Sequence, residues 1–446
     1  MKRMILILIR FLIAWGSSLP MQAQMPIQYL ISQEQAREVL TGASPNGNIY
    51  QVVESFDTQS AQDQISYTRY NSDLSIQQTR ILDFPAGVSF RLDAMQPLNT
   101  GGLTIAGITR PILTENDSVF VVRLDPSGSF LWSLAFQLSP KKHEVSGIVE
   151  TSDGGVVVYG LGEDPAGFGN LIFLQKISIN GTSVWRRQIS SEIAGASHFV
   201  GEMVEDAGGD LWMFGSTRLS TEGSWLARLG SDGQTKAVTF LRTHNLLARQ
   251  PEPKALKMAM NGGWDLFYSG ANASNGDIGL AIHLNMALSP MLVRRFSLNN
   301  RRASLDYVSV SPGGEYIWTG NTGSPGDNSQ GVLLNLASGL DIRRALRYGN
   351  EHEYTLRQVV PRTEDAYLLT GMADPDGMID DPSRDGLFPW LGETDNAGEL
   401  DCGNISETIS SRDTTVETLA LQLDNLTLDA PESTAISLNS YSRSLT

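Results

Sequence analysis

The chain has 446 residues, of which 41% are hydrophobic and only 18% are charged, so it can bury a large core and is not a disordered protein. Its formal net charge of −16 argues against binding to nucleic acid or to an anionic membrane surface, since both need clustered Lys and Arg. Cys402 is the only cysteine, which excludes an internal disulfide framework, and the 43 glycines favour many turns over long helices.

The first 23 residues have the layout of a secretory signal peptide. Lys2 and Arg3 form a positively charged start, residues 4–15 form an apolar core interrupted by Arg10, and Ala23 supplies a small residue at the expected cleavage point. The apolar core is too short to remain as a membrane-spanning helix. The sequence therefore predicts removal of residues 1–23 and a secreted, extracellular or cell-surface protein without a membrane-spanning segment.

A small turn followed by an apolar strand recurs seven times between residues 46 and 371. The copies are NGNIYQVV (46–53), GGLTIAG (101–107), GGVVVYG (154–160), GGDLWMFG (208–215), GGWDLFYSG (262–270), GGEYIWTG (313–320) and EDAYLLTG (364–371). Six of these strands end on glycines that are 50 to 55 residues apart, namely Gly107, Gly160, Gly215, Gly270, Gly320 and Gly371. Glycine at a strand end permits close approach of a neighbouring backbone, so the spacing indicates a true structural repeat.

Each copy is preceded by one strand, such as VSGIVETS (145–152), and followed by two more that an Asp/Asn/Gly turn joins, as in residues 117–136. Four short strands at a period of about 52 residues form one antiparallel blade, and a ring of blades buries the faces that a single blade exposes. We therefore predict an all-β protein, a seven-bladed β-propeller of four-stranded antiparallel blades, over residues 24–403.

Trp132 and Trp185 follow the Asp/Asn/Gly turn at the same distance, and we expect both to dock inward between blades. Trp132→Ala is then expected to cost roughly 3–5 kcal/mol, as deletion of a large core aromatic does. Cys402 stands at the spacing of Trp132 in the last repeat, which predicts a buried structural cysteine in the corresponding slot rather than a reactive thiol.

Residues 404–446 form a Ser/Thr-rich C-terminal extension. Residues 414–430 alternate well enough to supply one or two strands. The extension is either a ring-closing strand, which would cover an exposed edge, or the start of a truncated further domain.

The repeats resemble blades of secreted bacterial β-propellers. SDGGVVVYGLGE (152–163) and LIFLQKISINGTSVW (171–185) match a D-G-G-ϕ-ϕ-ϕ-x-G … D-x-x-G-x-ϕ-x-W pattern common among type IX secretion substrates, and the likeness covers about 370 residues. The resemblance implies Gram-negative bacterial export. The basic sorting tail of such substrates is not found in residues 404–446, so either export ends differently or a C-terminal portion is missing from this sequence.

Catalytic motifs are not found: the sequence has no H-E-x-x-H, no G-x-S-x-G and no Walker loop, and its five histidines lie in separate repeats. The loop ADPDGMIDDPSRDG (373–386) is the one local anomaly. Its carboxylates Asp374, Asp376 and Asp380 are hard oxygen donors at spacings that suit a possible calcium loop. The alternative is an acidic turn that solvent stabilises.

These observations predict a non-enzymatic scaffold that binds a protein or carbohydrate ligand on a loop face of the ring, without catalytic residues and without a cofactor other than possible calcium. An extracellular enzyme, acting on glycans or through a quinone, is one alternative, and it would need carboxylates or a His–carboxylate pair that converge on one face. A purely structural module of a larger exported protein is the other.

Overall fold

The computed structural model describes residues 28–29, 35–57, 62–72, 74–83, 88–111, 117–137, 143–163, 170–191, 197–218, 223–243, 252–270, 277–298, 303–322, 330–348, 354–362, 366–373, 388–394 and five short segments between 404 and 442. Every regular element in these residues is a β-strand. None of them forms a helix that is long and apolar enough to cross a membrane.

Seven antiparallel sheets, one per repeat, follow one another along the chain. The first strand, β1 (Gln28–Tyr29), precedes them. Blade 1 contains β2 (Gln35–Ala43), β3 (Ile49–Asp57), β4 (Gln62–Tyr70) and β5 (Ile76–Asp83). Blade 2 contains β6 (Val88–Pro97), β7 (Leu103–Pro111), β8 (Ser118–Leu124) and β9 (Phe130–Phe136). Blade 3 contains β10 (His143–Glu150), β11 (Val156–Glu163), β12 (Asn170–Ile177) and β13 (Ser183–Ser191).

Blade 4 contains β14 (Ser197–Glu205), β15 (Leu211–Arg218), β16 (Gly223–Leu229) and β17 (Thr235–Arg242). Blade 5 contains β18 (Glu252–Met258), β19 (Trp264–Ser269), β20 (Asp277–Leu284) and β21 (Pro290–Leu298). Blade 6 contains β22 (Ala303–Val310), β23 (Tyr316–Thr322), β24 (Gln330–Leu336) and β25 (Ile342–Tyr348). Blade 7 contains β26 (Tyr354–Pro361), β27 (Tyr367–Ala373) and β28 (Phe388–Glu393). The predicted seven-bladed propeller is confirmed.

The fourth strand of blade 7 is β1, which joins the two ends of the ring. Gln28 pairs with Leu391 and Tyr29 with Trp390, on the edge of β28 where a following strand was expected. The sequence predicted Cys402 in the slot that Trp132 has on the fourth strand of blade 2, and in blade 7 that fourth strand is β1. Cys402 itself lies outside the described residues, as do residues 1–23.

The C-terminal extension adds fifth strands to the outer edges of five blades. These strands are β29 (Asn404–Ser406), β30 (Ile409–Asp413), β31 (Glu417–Leu419), β32 (Leu423–Thr427) and β33 (Asn439–Ser442). In chain order they pair with blades 6, 5, 4, 3 and 1, so the extension runs backwards around the outside of the ring. The edge of β28 at which the ring closes is paired with β1, whereas the described strands of the extension pair with the outer edges of other blades.

The core consists of clusters between neighbouring blades, not of one central cluster. Phe120 of blade 2, for instance, packs with Tyr50 and Tyr67 of blade 1, and Trp318 of blade 6 packs with Phe267 and Phe296 of blade 5. The same holds where blade 7 meets blade 1, because Leu368 of blade 7 belongs to one cluster with residues of blade 1. Stability is therefore distributed around the ring through these contacts between neighbouring blades, which we call seams.

Each seam is also fixed by a tryptophan where the sequence provides one. Trp132 of blade 2 donates from Nε1 to the carbonyl of Ile179 in blade 3, at 2.9 Å, and its ring lies against Gly181. Trp185 of blade 3 repeats this contact on Ser231 and Gly233 of blade 4. Docking between blades is as predicted, but Trp132 is only half-buried. Trp132 packs against the core cluster between blades 2 and 3 and is not fully buried, because its indole ring covers the turn at Gly181 on the blade surface.

We expect Gly181→Ala to lower the free energy of unfolding by about 2 kcal/mol. The residue has φ of 82°, where a side chain is strained by about 1–2 kcal/mol, and its Cβ would lie 2.7 Å from Cγ of Trp132. In a Trp132→Ala background the contacts with the indole ring are lost and only a 3.0 Å contact with the Cβ of residue 132 stays, so the cost should fall to about 1 kcal/mol. Gly209→Ala is the matched control, since Gly209 has φ of 80° and no atom within 4 Å of its Cβ position. Additive urea-denaturation energies for the double variant would contradict the contact.

Candidate functional site

The first strand of each blade is its innermost strand. Together these seven strands surround a central channel with a cavity of 1370 Å³. Every one of these strands has a β-bulge at the same level, and in five blades it directly follows the residue that pairs with the repeated glycine, which lies inside the second strand and not at its predicted end. The bulged residues are Arg37, Asp93, Ser146, Gly201, Lys254, Asp306 and Arg357. Bulges redirect side chains, so this register places a ring of mostly charged groups around the channel.

Two acids at this level, Asp93 and Glu202, form hydrogen bonds between neighbouring blades. The carboxylate of Asp93 accepts a hydrogen bond from the backbone N–H of Val145 at 3.0 Å, and Glu202 accepts one from Leu256 at 2.9 Å. Glu202 also pairs with Lys257 at 2.6 Å. These acids bond the innermost strand of the next blade and have a structural role.

A second group of charges lies on blades 5, 6, 7 and 1, where Lys254, Asp306 and Arg357 line the channel and Glu38 lies beside Arg357. Lys254 Nζ lies 3.0 Å from Oδ1 of Asp306, and Arg357 Nε lies 3.8 Å from Oε1 of Glu38. Their side chains keep between 24% and 35% of their surface exposed. The Lys254–Asp306 pair and Arg357 are therefore accessible from the channel, and Glu38 is partly exposed next to Arg357.

Tyr307 stands between these two pairs on the wall of the channel. Burial raises the pKa of its phenol, and the charges of Glu38, Arg357, Asp306 and Lys254 all act on it. The hydroxyl therefore stays protonated at neutral pH and can both donate and accept a hydrogen bond.

Glu38 is paired across the strands with Glu54, and this acidic pair lies next to the channel residue Arg357. Glu38 on β2 opposes Glu54 on β3 directly after the bulge. The corresponding pairs in blades 2, 3, 5, 6 and 7 contain no acid, namely Ala94–Ala106, Gly147–Tyr159, Ala255–Phe267, Tyr307–Thr319 and Gln358–Thr370. Like charges in directly opposed positions destabilise a sheet. Glu54 has the same structural role as Asp93 and Glu202, since it accepts the N–H of Leu92 on the innermost strand of blade 2. Glu38 is therefore the member of the pair that the repeat does not require.

Both glutamates hold a proton more strongly than an exposed glutamate does. Burial raises the pKa of Glu54 to about 7, against the lowering effects of the Leu92 N–H and of Arg37. Burial also raises the pKa of Glu38, and Arg357 opposes that shift. Glu54 is 3% exposed and bonds the Leu92 N–H at 2.6 Å, whereas Glu38 is partly exposed. Two carboxyl groups with different environments are the arrangement from which acid and base roles arise.

The predicted metal residues Asp374, Asp376 and Asp380 lie outside the described residues, so the calcium loop stays a prediction. Among the histidines in the described part of the chain, His198 is buried and bonded to Thr217 at 3.1 Å, and His283 is bonded to Asp265 at 2.8 Å. None of the described histidines, His143, His198 and His283, lines the channel cavity. Sequence reasoning missed Glu38 and Glu54, which only the strand register places side by side.

No family model matches the chain, and no curated protein matches it. Solved structures share its fold at low identity. A Dyadobacter fermentans protein of unknown function is 12% identical, with 67% of this chain and 94% of that chain covered and a TM-score of 0.43. A luciferin-regenerating enzyme is 11% identical, with 70% and 94% covered and a TM-score of 0.40. A Penicillium chrysogenum alpha-L-arabinanase complexed with arabinobiose is 10% identical, with 82% and 95% covered and a TM-score of 0.43.

These comparisons contradict the prediction that the chain is not an enzyme, because most of the similar structures are named as enzymes. At these identities the likeness is one of fold alone, and a propeller ring supports many activities. The chain is a β-propeller; what it does has to be argued from its own channel.

Proposed function

We propose that the chain is an extracellular propeller that binds a carbohydrate in its central channel, at the group formed by Glu38, Tyr307, Arg357, Asp306 and Lys254. The observation that carries this proposal is the acidic pair Glu38–Glu54, which interrupts the repeat beside Arg357 and Tyr307. Type IX export, suggested by the repeat pattern, is part of the same proposal.

The chemistry of the group suits a sugar. Carboxylate, guanidinium and phenol groups supply both donors and acceptors for vicinal hydroxyls, and acids and bases alternate, so no single charge sign is demanded of the ligand. A cavity of 1370 Å³ admits a short oligosaccharide but not a folded protein. Among the ligands predicted from the sequence, we therefore favour the carbohydrate over the protein.

A second candidate function is cleavage of that glycan. Glycoside hydrolysis needs two carboxyl groups, one of them protonated near neutral pH, and the raised pKa values of Glu38 and Glu54 supply such groups. Glu38 is the one of the two that solvent reaches, so Glu38 would contact the glycan. Glu54 is buried and would act only through its effect on the protonation of Glu38.

The test is calorimetric titration of residues 24–446 with a panel of neutral and acidic oligosaccharides, together with an assay for released reducing ends. We expect at least one glycan to bind with a dissociation constant of about 1 mM or tighter. Glu38→Gln and Tyr307→Phe should each weaken binding about tenfold, the effect of losing one hydrogen bond to a charged or polar group.

Glu144→Gln is the matched control, because Glu144 lines the channel on blade 3, away from the group. Equal weakening by Glu144→Gln would place the ligand elsewhere in the channel. A panel without any binding partner would refute the proposal, and release of reducing ends that Glu38→Gln abolishes would establish the second candidate.

A further inference from the structure

A second, smaller cavity of 580 Å³ opens on the side of blade 5 where its two hairpins turn. It is lined by His283, Met286 and Met291, together with Asn261, Gly262, Asn285 and Ala287. The cavity lies outside the channel and shares no residue with the group proposed to bind a carbohydrate.

Two thioethers in this cavity are held at the surface. Met286 is 79% exposed and Met291 is 64% exposed, which is unusual for large apolar side chains. The N–H of Gly263 donates to Sδ of Met286 at 3.2 Å, and Nδ2 of Asn285 donates to Sδ of Met291 at 3.5 Å. Each sulfur is thus oriented by the protein and keeps a further lone pair for a ligand.

His283 is oriented by a buried carboxylate. Its Nδ1 lies 2.8 Å from Oδ1 of Asp265, which is fully buried and whose second oxygen accepts a hydrogen bond from the hydroxyl of Tyr316. With the carboxylate as acceptor, Nδ1 carries the proton and Nε2 has the free lone pair. A carboxylate behind a histidine is the support that metal-binding histidines commonly have.

Among the described residues, the combination is found on this blade alone. On the third strand, the residues that correspond to His283 are Arg69, Arg123, Lys176, Arg228, Asn335 and Glu393, of which only Glu393 is a ready metal ligand, and it is an oxygen donor. The residues that correspond to Met286 are Ser72, Pro126, Ile179, Ser231 and Ser338. The repeat requires neither the imidazole nor the thioethers.

We propose that blade 5 binds a monovalent copper ion, Cu(I), through Nε2 of His283 and Sδ of Met286 and Met291. Thioether sulfur is a soft donor that selects Cu(I), and imidazole suits copper as well. Hard cations such as calcium and magnesium prefer oxygen donors and would not be held by two sulfurs. The proposal is independent of what the channel binds.

The test is an anaerobic titration of the purified protein with Cu(I) in competition with a chromophoric Cu(I) chelator. We expect one ion per chain with a dissociation constant of about 1 µM or tighter. The double variant Met286→Leu, Met291→Leu should lose at least about 100-fold in affinity, beyond what loss of a supporting group alone produces. His283→Gln should lose affinity as well, and X-ray absorption should show both sulfur and nitrogen around the copper.

Met258→Leu is the matched control, because Met258 is 55% exposed on the same blade and does not line the cavity. Leucine at exposed positions preserves volume, and equal melting temperatures of the metal-free variants would show that the fold is intact. Absence of Cu(I) binding, or an affinity of the double variant equal to that of Met258→Leu, would overturn the proposal.

Discussion

Glu54→Gln is expected to raise the free energy of unfolding at pH 8 by up to about 3 kcal/mol. The pKa of Glu54 is raised from 4.5 to about 7, so the folded protein binds its proton more strongly than the unfolded chain does. Stability from this group is complete below pH 4.5 and is lost as the pH rises to about 7. Glutamine mimics the protonated acid, and its side-chain oxygen can still accept the N–H of Leu92.

The measurement is urea denaturation of both proteins between pH 4.5 and 8, and the difference between the two curves isolates Glu54. His198 has the opposite effect, because burial lowers its pKa to about 4 and its contribution is lost as the pH falls from 6.5. That slope is common to both proteins. Glu144→Gln, at an exposed glutamate, should leave the pH dependence unchanged. Parallel curves for wild type and Glu54→Gln would show that Glu54 is not a protonated, buried acid.

Gly160→Ala should destabilise the protein by about 3 kcal/mol, at the upper end for overpacking, while Gly162→Ala on the same strand should not. A Cβ on Gly160 would lie 2.0 Å from the carbonyl oxygen of Glu144 and 2.9 Å from Cα of Val145, so the two innermost strands of blade 3 would have to separate at the bulge. A Cβ on Gly162 would meet only His143, at 3.4 Å, which is ordinary contact.

The urea midpoints of the two variants decide this prediction. Gly162→Ala can even stabilise the fold slightly, since alanine restricts the unfolded chain. Equal midpoints for the two variants would mean that a side chain is tolerated at Gly160 as well as at Gly162. The repeated glycine would then need another explanation.

Much of the fold followed from local chemistry in the sequence. The glycines at strand ends were expected to admit a close backbone, and at Gly107, Gly160 and Gly320 a Cβ would lie within 2.0 Å of a carbonyl oxygen of the innermost strand. The strand that closes blade 7 could not be found that way. It has only two residues and pairs with the other end of the chain, and neither periodicity nor a turn motif marks such a pairing.

The candidate sites depended on register, which the sequence pattern left open. Glu38 and Glu54 are separated by a turn, and the bulge after Ala36 decides that they face each other. Asp265 and His283 are likewise opposed only because β19 and β20 pair in one register. A shift of one residue would put each partner on the other face of its blade. The acidic loop at 373–386 attracted attention because its residues are adjacent in sequence, whereas the acids of the channel are not.

Closure of blade 7 by β1 gives the ring an order of assembly. The first four strands of blades 1 to 6 are consecutive and can pair as soon as their own segment is present, but blade 7 needs β1 as its fourth strand in addition to β26, β27 and β28. Joining such distant segments has a large loop-closure entropy, as does the pairing of β33 with β5, so the closure of blade 7 forms late. Until then β28 has an unpaired edge, and β1 of another molecule can occupy it. Refolding at high concentration should therefore produce head-to-tail oligomers by strand exchange, while dilute refolding yields closed rings.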